Sequence, residues 1–338
     1  MIDVLVAGGG PVGLATALYA HRAGLEVAVL EPRSMPIDKA CGEGLMPAAL
    51  QALAELGVEP PGLPLRGIRY LDGTRSAEAL FRGPAGRGVR RTALQSCLQE
   101  AVGAQGIAVH ETSLTELRQD EDRVRVGGLS ARYLVGADGL HSTVRKLAAL
   151  ELPGRSRPRW GLRRHYRIEP WSDLIEVHWC PTAEAYLTPV APDQIGVAIL
   201  SGDRVSFDEQ LTRFPLLSHR LATAAGSKVL GAGPLRQRSL ARVAGRVLLV
   251  GDAAGYVDAL TGEGILVGLA AARLLAGCLS AGRPQDYERL WLRSSRRYRT
   301  LTGALLWVAG RPRLRRGIVR TAAAAPRVFE LAVGQLAR

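Results

Sequence analysis

Residues Ile2 to Ala7 form a short run of aliphatic side chains closed by three glycines, Gly8 to Gly10. A brief run that is apolar at nearly every position predicts a strand buried on both faces, as parallel strands are. After Pro11, apolar residues at Leu14, Ala17, Leu18 and Ala20 follow helical spacing, and Glu26 to Leu30 reads as a second strand ending at Glu31. Two further β-rich runs, Tyr133 to Val135 and Val247 to Val250, each end in a glycine–aspartate turn and lead into a helical pattern. Between them, Glu176 to Trp179, Glu184 to Val190 and Gln194 to Leu200 read as short strands separated by turn signals. They predict an antiparallel sheet within residues 159–238, inserted into the α/β unit, with residues 66–90 contributing to the same layer. The last fifty or so residues follow a helical pattern that Pro312 and Pro326 interrupt.

The first turn, Gly8-Gly9-Gly10-Pro11-Val12-Gly13, is a GxGxxG sequence between a strand and a helix, with an acid at the end of the next strand. In that context it predicts dinucleotide binding. Gly8 permits the tight turn, Gly10 lets the backbone approach a pyrophosphate, and Gly13 lets the helix pack closely on the strand. The helix N-terminus offers free N–H groups and the positive end of its dipole to the phosphates. Glu31 accepts hydrogen bonds from a ribose 2′-hydroxyl and repels a 2′-phosphate, which favours FAD or NAD over NADP.

Composition sets wider bounds. The chain has 338 residues, 47% hydrophobic and 22% charged, enough for a sizeable core and incompatible with global disorder. No apolar run reaches the roughly 18 residues of a membrane-spanning helix. Asp3 stands where a signal peptide would be basic, and Cys41, Cys97, Cys180 and Cys278 form no CxxC pair. These features predict a cytoplasmic protein with no metal site. The net charge of +13 comes from 44 basic residues, of which 41 are arginine. Residues 283–338 carry thirteen arginines against Asp286, Glu288 and Glu330. Without a nucleic-acid-binding motif, and with only 5% aromatic residues, this charge does not predict nucleic-acid binding. It suits an anionic membrane surface or an acyl carrier, because Leu301, Leu305, Leu306 and Val308 form an apolar stripe beside Arg296, Arg297, Arg299, Arg311, Arg313, Arg315 and Arg316.

The glycine–acid motifs occur in a recognisable order. Gly136-Ala137-Asp138-Gly139 resembles the DG motif, and Gly251-Asp252 the GD motif, of the flavoprotein monooxygenase superfamily with the p-hydroxybenzoate hydroxylase fold. That superfamily includes geranylgeranyl reductase-like enzymes and flavin halogenases, and the resemblance covers roughly residues 1–290. Val89-Arg90-Arg91-Thr92-Ala93-Leu94 resembles its arginine-led helix beside the flavin. The resemblance implies an α/β fold: a Rossmann-type FAD-binding domain in three ββα layers, an inserted antiparallel β-sheet substrate domain and a helical C-terminus. The implied FAD-binding domain is discontinuous (1–65, 91–158 and 239–285), the substrate domain comprises 66–90 and 159–238, and 286–338 form the helical segment. The implied cofactor-binding residues are Gly8, Gly10, Pro11, Val12, Gly13, Glu31, Pro32, Arg33, Cys41, Gly42, Arg91, Asp138, Gly139, Gly251, Asp252, Gly262, Gly264 and Ile265.

For the reaction, the resemblance implies an FAD-dependent oxidoreductase. In its monooxygenase branch, an electron-rich aromatic, quinol or polyketide-type substrate is hydroxylated through a flavin C4a-hydroperoxide, with NADH or NADPH, or else a partner protein, as electron donor. Such a site needs a dry pocket and few catalytic side chains. Two departures bear on the branch. Ile265 and Leu266 stand where many hydroxylases carry asparagine. Lys39-Ala40-Cys41-Gly42-Glu43-Gly44 resembles the cysteine–glycine stretch of geranylgeranyl reductase-like and menaquinone-side-chain reductases, which saturate an isoprenoid double bond. Against the reductases, Ala185-Tyr186-Leu187-Thr188-Pro189-Val190 lacks their aromatic-rich motif, and it also lacks the tryptophan motif of the halogenases. A flavin-binding partner protein without turnover is a third reading. The candidate catalytic residues are Cys41, His165 and Arg164, with Arg163, His178 and Tyr186 as further candidates to line an apolar or aromatic substrate's pocket.

Overall fold

The computed structural model describes residues 2–153 and 158–336. At its centre, five parallel strands lie in the order Ala108–His110, Val27–Leu30, Ile2–Ala7, Leu129–Gly136, Val247–Leu249. Ile2–Ala7 pairs with Val27–Leu30 on one side and Leu129–Gly136 on the other, so the chain reverses its direction of winding there. That switch point places a crevice at the carboxyl ends of these two strands, where α/β sheets bind ligands. Helices Pro11–Arg22, Arg91–Ala104 and Gly264–Ser280 pack together over the sheet. Their shared core includes Val4, Leu5, Leu14, Leu18, Leu98, Leu134 and Leu275. The antiparallel strands Arg118–Gln119 and Val124–Val126 extend from Leu129–Gly136 as a meander.

The second large sheet runs Trp160–Arg167, Gln194–Ser201, Ala183–Ala191, Leu174–Trp179, Gly67–Leu71, Ser76–Leu80 in spatial order. All neighbours in this series are antiparallel except Leu174–Trp179 with Gly67–Leu71. Gly86–Gly88 lies instead in a three-stranded sheet with Gly44–Leu45 and Leu63–Leu65, which packs against strand Ala183–Ala191 of the second sheet and helix Pro47–Glu55.

Helix Asp286–Ala309 is followed by Pro312–Arg315, Ile318–Ala324 and Pro326–Leu336. Pro312 and Pro326 open helices, the position where a missing N–H costs nothing. These helices cover the Gly67–Leu80 end of the second sheet, burying Val319, Ala322, Phe329 and Val333 against Ile68, Ala79, Val177 and Trp179. Leu305 and Leu306 pack on this cluster, while Leu301, Trp307 and Leu314 face outward. Arg315 departs from the basic outer face: it is buried, and its Nη2 donates to Glu184 Oε2 at 2.6 Å. Among the described residues, no helix is long and apolar enough to cross a membrane.

Candidate active site

The glycine turn sits in the crevice. Gly8 has φ +116°, and a Cβ there would lie 2.5 Å from the Ala137 carbonyl oxygen; one on Gly13 would lie 1.8 Å from the Gly8 carbonyl oxygen. Gly13 therefore serves packing and does not line the cleft. Gln95, fully buried on helix Arg91–Ala104, holds the turn from below. Its Nε2 donates to the Gly9 carbonyl at 2.7 Å, and its Oε1 accepts from the Ile37 amide at 2.9 Å.

Glu31 is buried and accepts from the Gly9 amide at 3.0 Å and from Arg33 Nε at 2.7 Å. Burial alone would raise its carboxyl, but the hydrogen bonds from Arg33 and Gly9 outweigh it and hold the group below its ordinary value. It is thus an anionic acceptor at the strand end. Pro32 is exposed beside it.

The two glycine–acid motifs form the opposite wall. Asp138 Oδ2 accepts from the Val144 amide at 3.0 Å, while buried Oδ1 has no partner among the described residues. Asp252 lies in the turn Gly251–Ala254, and burial pushes its carboxyl up while Arg91, Lys39 and Arg145 pull it back. Arg145, wholly buried, laces the motifs together by donating to the carbonyls of Leu140 at 2.7 Å and Ala253 at 3.0 Å. Arg91 Nη2 lies 3.9 Å from where a Cβ on Gly10 would be, and its buried Nε is unpartnered among the described residues. Lys39 lies over Gly139, its ammonium lowered by burial and then by the charges of Arg33 and Arg91.

Together these groups line a cavity of about 810 Å³ that runs from Glu31 past Gly10, Asp138 and Asp252 to Gly262, Gly264 and Ile265, and on under the second sheet. They fit FAD. The glycine turn, the start of helix Pro11–Arg22, Arg91 and Lys39 suit the pyrophosphate. Glu31 suits a ribose, and the open oxygens of Asp138 and Asp252 suit hydroxyl donors. The substrate end of the cavity is walled by Met46, Ile68, Tyr70, Ile175, Val177, Tyr186 and Leu260. Tyr186 donates to the Leu260 carbonyl at 2.7 Å, fixing the loop before Gly262.

Cys41 borders this cavity, with Sγ 3.4 Å from the Glu43 amide. Burial pushes its thiol up, and the Glu43 carboxylate adds to the shift, so Cys41 stays protonated at neutral pH. Glu43 is a buried non-glycine residue with φ +58°. Its strained backbone is held by several bonds: the Gly42 carbonyl accepts from Thr188 Oγ1 at 2.8 Å, and the Glu43 carbonyl accepts from the Val89 amide at 2.8 Å. Glu43 Oε1 accepts from the Arg91 amide at 2.9 Å, capping helix Arg91–Ala104, whose own cap residue Arg90 supplies no side-chain bond. Glu43 Oε2 lies 2.6 Å from His165 Nε2, in a space where Gly196 has no side chain; a Cβ there would lie 2.8 Å from this oxygen. Arg163 Nη1 is 2.7 Å from His165 Nδ1, and Arg163 also pairs with Asp38.

The candidates from sequence therefore separate. Cys41 reaches the cavity directly, whereas His165 reaches it through Glu43 and Arg163, both of which line it. Arg164 points to the opposite face of its strand, pairs with Asp208 and lies over Phe207. Strand alternation takes it away from the cleft, and the expectation of a catalytic role for it is corrected accordingly. His178 pairs with Glu176 at 3.1 Å outside the cavity. Sequence reasoning missed Gln95, Lys39 and the Asp38–Arg163–His165–Glu43 chain. Glu43, an acid between two glycines beside Cys41, was the visible signal.

Comparison with known proteins agrees with this geometry. Residues 1–180 match the model of a family described as FAD binding domain. The chain is 31% identical over 331 residues to menaquinone reductase of Mycobacterium tuberculosis, covering 86% of this chain and 78% of that protein. It is 30% identical over 345 residues to protoasukamycin 4-monooxygenase of Streptomyces nodosus subsp. asukaensis, covering 85% and 83%. The solved structure of PqsL, a probable FAD-dependent monooxygenase from Pseudomonas aeruginosa, superposes with a TM-score of 0.76 at 20% identity, covering 94% and 99%.

Proposed function

The chain belongs to the FAD binding domain family, within the flavoprotein superfamily of the p-hydroxybenzoate hydroxylase fold, and on that premise we propose how this FAD-dependent oxidoreductase uses its site. The proposed reaction is monooxygenation: hydroxylation of an electron-rich aromatic, quinol or polyketide-type substrate, with NADH or NADPH as electron donor. The observation that carries it is the continuity between the FAD cleft and an apolar chamber walled by Ile68, Tyr70, Ile175, Val177, Tyr186 and Leu260. FAD, when bound, supplies the redox chemistry with dioxygen. The chain's own residues supply the rest. The chamber excludes water from an apolar substrate, and the start of helix Gly264–Ser280 directs its amides at the cleft. Glu43, with His165 behind it, places a proton-accepting carboxylate on the cavity wall, suited to a phenolic or enolic hydroxyl.

A second reading, saturation of an isoprenoid double bond, is favoured by one observation: Cys41 borders the cavity as a protonated thiol able to give up a proton. Uptake of labelled dioxygen with a panel of phenols and quinols decides between them. Substrate-dependent oxygen uptake with one labelled atom in the product is the expected result. Anaerobic turnover in which the product gains two hydrogens would overturn hydroxylation in favour of reduction.

The outer face of the C-terminal helices is proposed as a docking surface for anionic membrane. Leu301, Trp307 and Leu314 are 39%, 56% and 42% exposed, and Arg311 lies 3.6 Å over the Trp307 ring. Exposed apolar side chains close in sequence to the exposed Arg313 and Arg316 suit a surface that is oily beneath and negative above.

A further inference from the structure

A second cavity, of about 290 Å³, lies behind the Gly251–Gly255 turn, between the segment 236–242 and helices Gly264–Ser280 and Asp286–Ala309. Four arginines line it: Arg236, Arg238, Arg242 and Arg299. Arg242 is neutralised by Glu288, with Nη1 3.1 Å from Oε1, and lies 4.3 Å over the Trp291 ring, which Arg299 also overlies at 5.6 Å. Among the described residues, Arg236, Arg238 and Arg299 have no carboxylate partner. The surplus charge is felt locally: burial lowers the Arg242 pKa, and the charge of Arg299 lowers it further against the pull of Glu288. Into the same cavity faces Ser295, 2% exposed, whose Oγ has no hydrogen-bond partner among the described residues. A buried hydroxyl without a partner is costly and points to a ligand acceptor. Among the described residues, the one acid lining the cavity is Asp252, on the wall shared with the FAD cleft.

We infer that this cavity binds the phosphate group of an anionic ligand on its Arg236–Arg238–Arg299 side, with Ser295 donating to it. Guanidinium forks match the paired oxygens of a phosphate, and three of them with no competing carboxylate outweigh the single acid opposite. The volume, at the small end of ligand sites, takes a phosphate and its ester but not a whole dinucleotide. Gly251, Asp252, Tyr256 and Gly264 line both cavities, so the occupant abuts the flavin cleft. The inference holds for hydroxylation or reduction alike. The phosphate has two sources: a nicotinamide dinucleotide docking from this side, or a separate phosphorylated small molecule.

The test titrates FAD-loaded protein with inorganic pyrophosphate at low salt by calorimetry. Saturable binding is expected, weakened at least tenfold in R236Q/R238Q and severalfold in Ser295→Ala, with flavin content unchanged in both. No saturable binding, or equal binding by both variants, would overturn the site. Displacement of pyrophosphate by NADPH assigns the phosphate to a dinucleotide; its persistence at saturating NADPH assigns it to a separate ligand.

Discussion

His165 Nε2 faces Glu43 Oε2 at 2.6 Å, and the direction of that hydrogen bond is set from the far side of the ring. Arg163 can only donate, so Nδ1 must accept from it, leaving the ring proton on Nε2 and pointed at Glu43. His165→Ala leaves a buried carboxylate short of a donor and is expected to cost on the order of 2 kcal/mol in urea denaturation. His165→Gln can restore both hydrogen bonds but cannot relay a proton. It should recover stability, while turnover stays down by about 100-fold or more if His165 moves protons. Recovery of turnover together with stability would reduce His165 to a positioning residue.

Asp252→Ala removes a half-buried acceptor from the wall that Arg91 and Lys39 face. FAD affinity should drop by roughly ten- to a hundredfold, the worth of one charged hydrogen bond. The flavin-to-protein ratio and a fluorescence titration read it, and unchanged flavin content would sink this assignment of the cleft wall.

The FAD side was legible in the sequence because its chemistry is local. A glycine turn, an acid at the next strand end and two glycine–aspartate turns each carry their meaning within a few residues. The chain of side chains behind Cys41 was not legible, because it is made by pairing between distant segments: Glu43 meets His165 across 122 positions, and Arg163 meets Asp38 across 125. In sequence, Arg164 and His165 read as catalytic candidates and Arg163 only as a pocket-lining one. Only strand alternation, fixed by the pairing of Trp160–Arg167 with Gln194–Ser201, sends Arg164 out and its neighbours in. Likewise Arg315 looked like one basic residue among many until Glu184 received it.

Cys41→Ala separates the two reactions. If the enzyme hydroxylates, oxygen-dependent turnover should change by no more than about threefold, far below the ~100-fold loss expected on removing a general acid. A loss of that larger size, with FAD retained, would shift the assignment to double-bond reduction.

Glu263 gives stability a pH dependence. It is 7% exposed, and burial lifts its carboxyl to about 7, with the Thr261 hydrogen bond and the charge of Arg297 opposing. The folded state therefore holds a proton that the unfolded chain releases between pH ~4.5 and ~7, so stability falls as pH rises through that window and levels off above it. Asp258, lifted to about 6 by burial, acts in the same direction. Glu263→Gln should flatten the slope and gain on the order of 2 kcal/mol at pH 8 relative to pH 5, read from denaturation midpoints.

Co-sedimentation with anionic vesicles at low salt tests the docking face. At about 1 kcal/mol per basic residue near such a surface, R311Q/R313Q/R316Q should bind roughly 100-fold more weakly than the unaltered protein. Failure of the unaltered protein to bind would end the proposal.

The cleft that fits FAD is assembled from both ends of a long stretch of chain, from Gly8 in its first turn to Ile265 at the start of a late helix. During synthesis, the N-terminal strand and glycine turn emerge early, yet their opposite wall does not exist until residues 251–265 have left the ribosome. Such distant closure is slow, and it leaves the half-made crevice exposed in the meantime. The flavin therefore joins a nearly finished chain, and a ribosome stalled before Asp252 releases a product with no complete place to hold it.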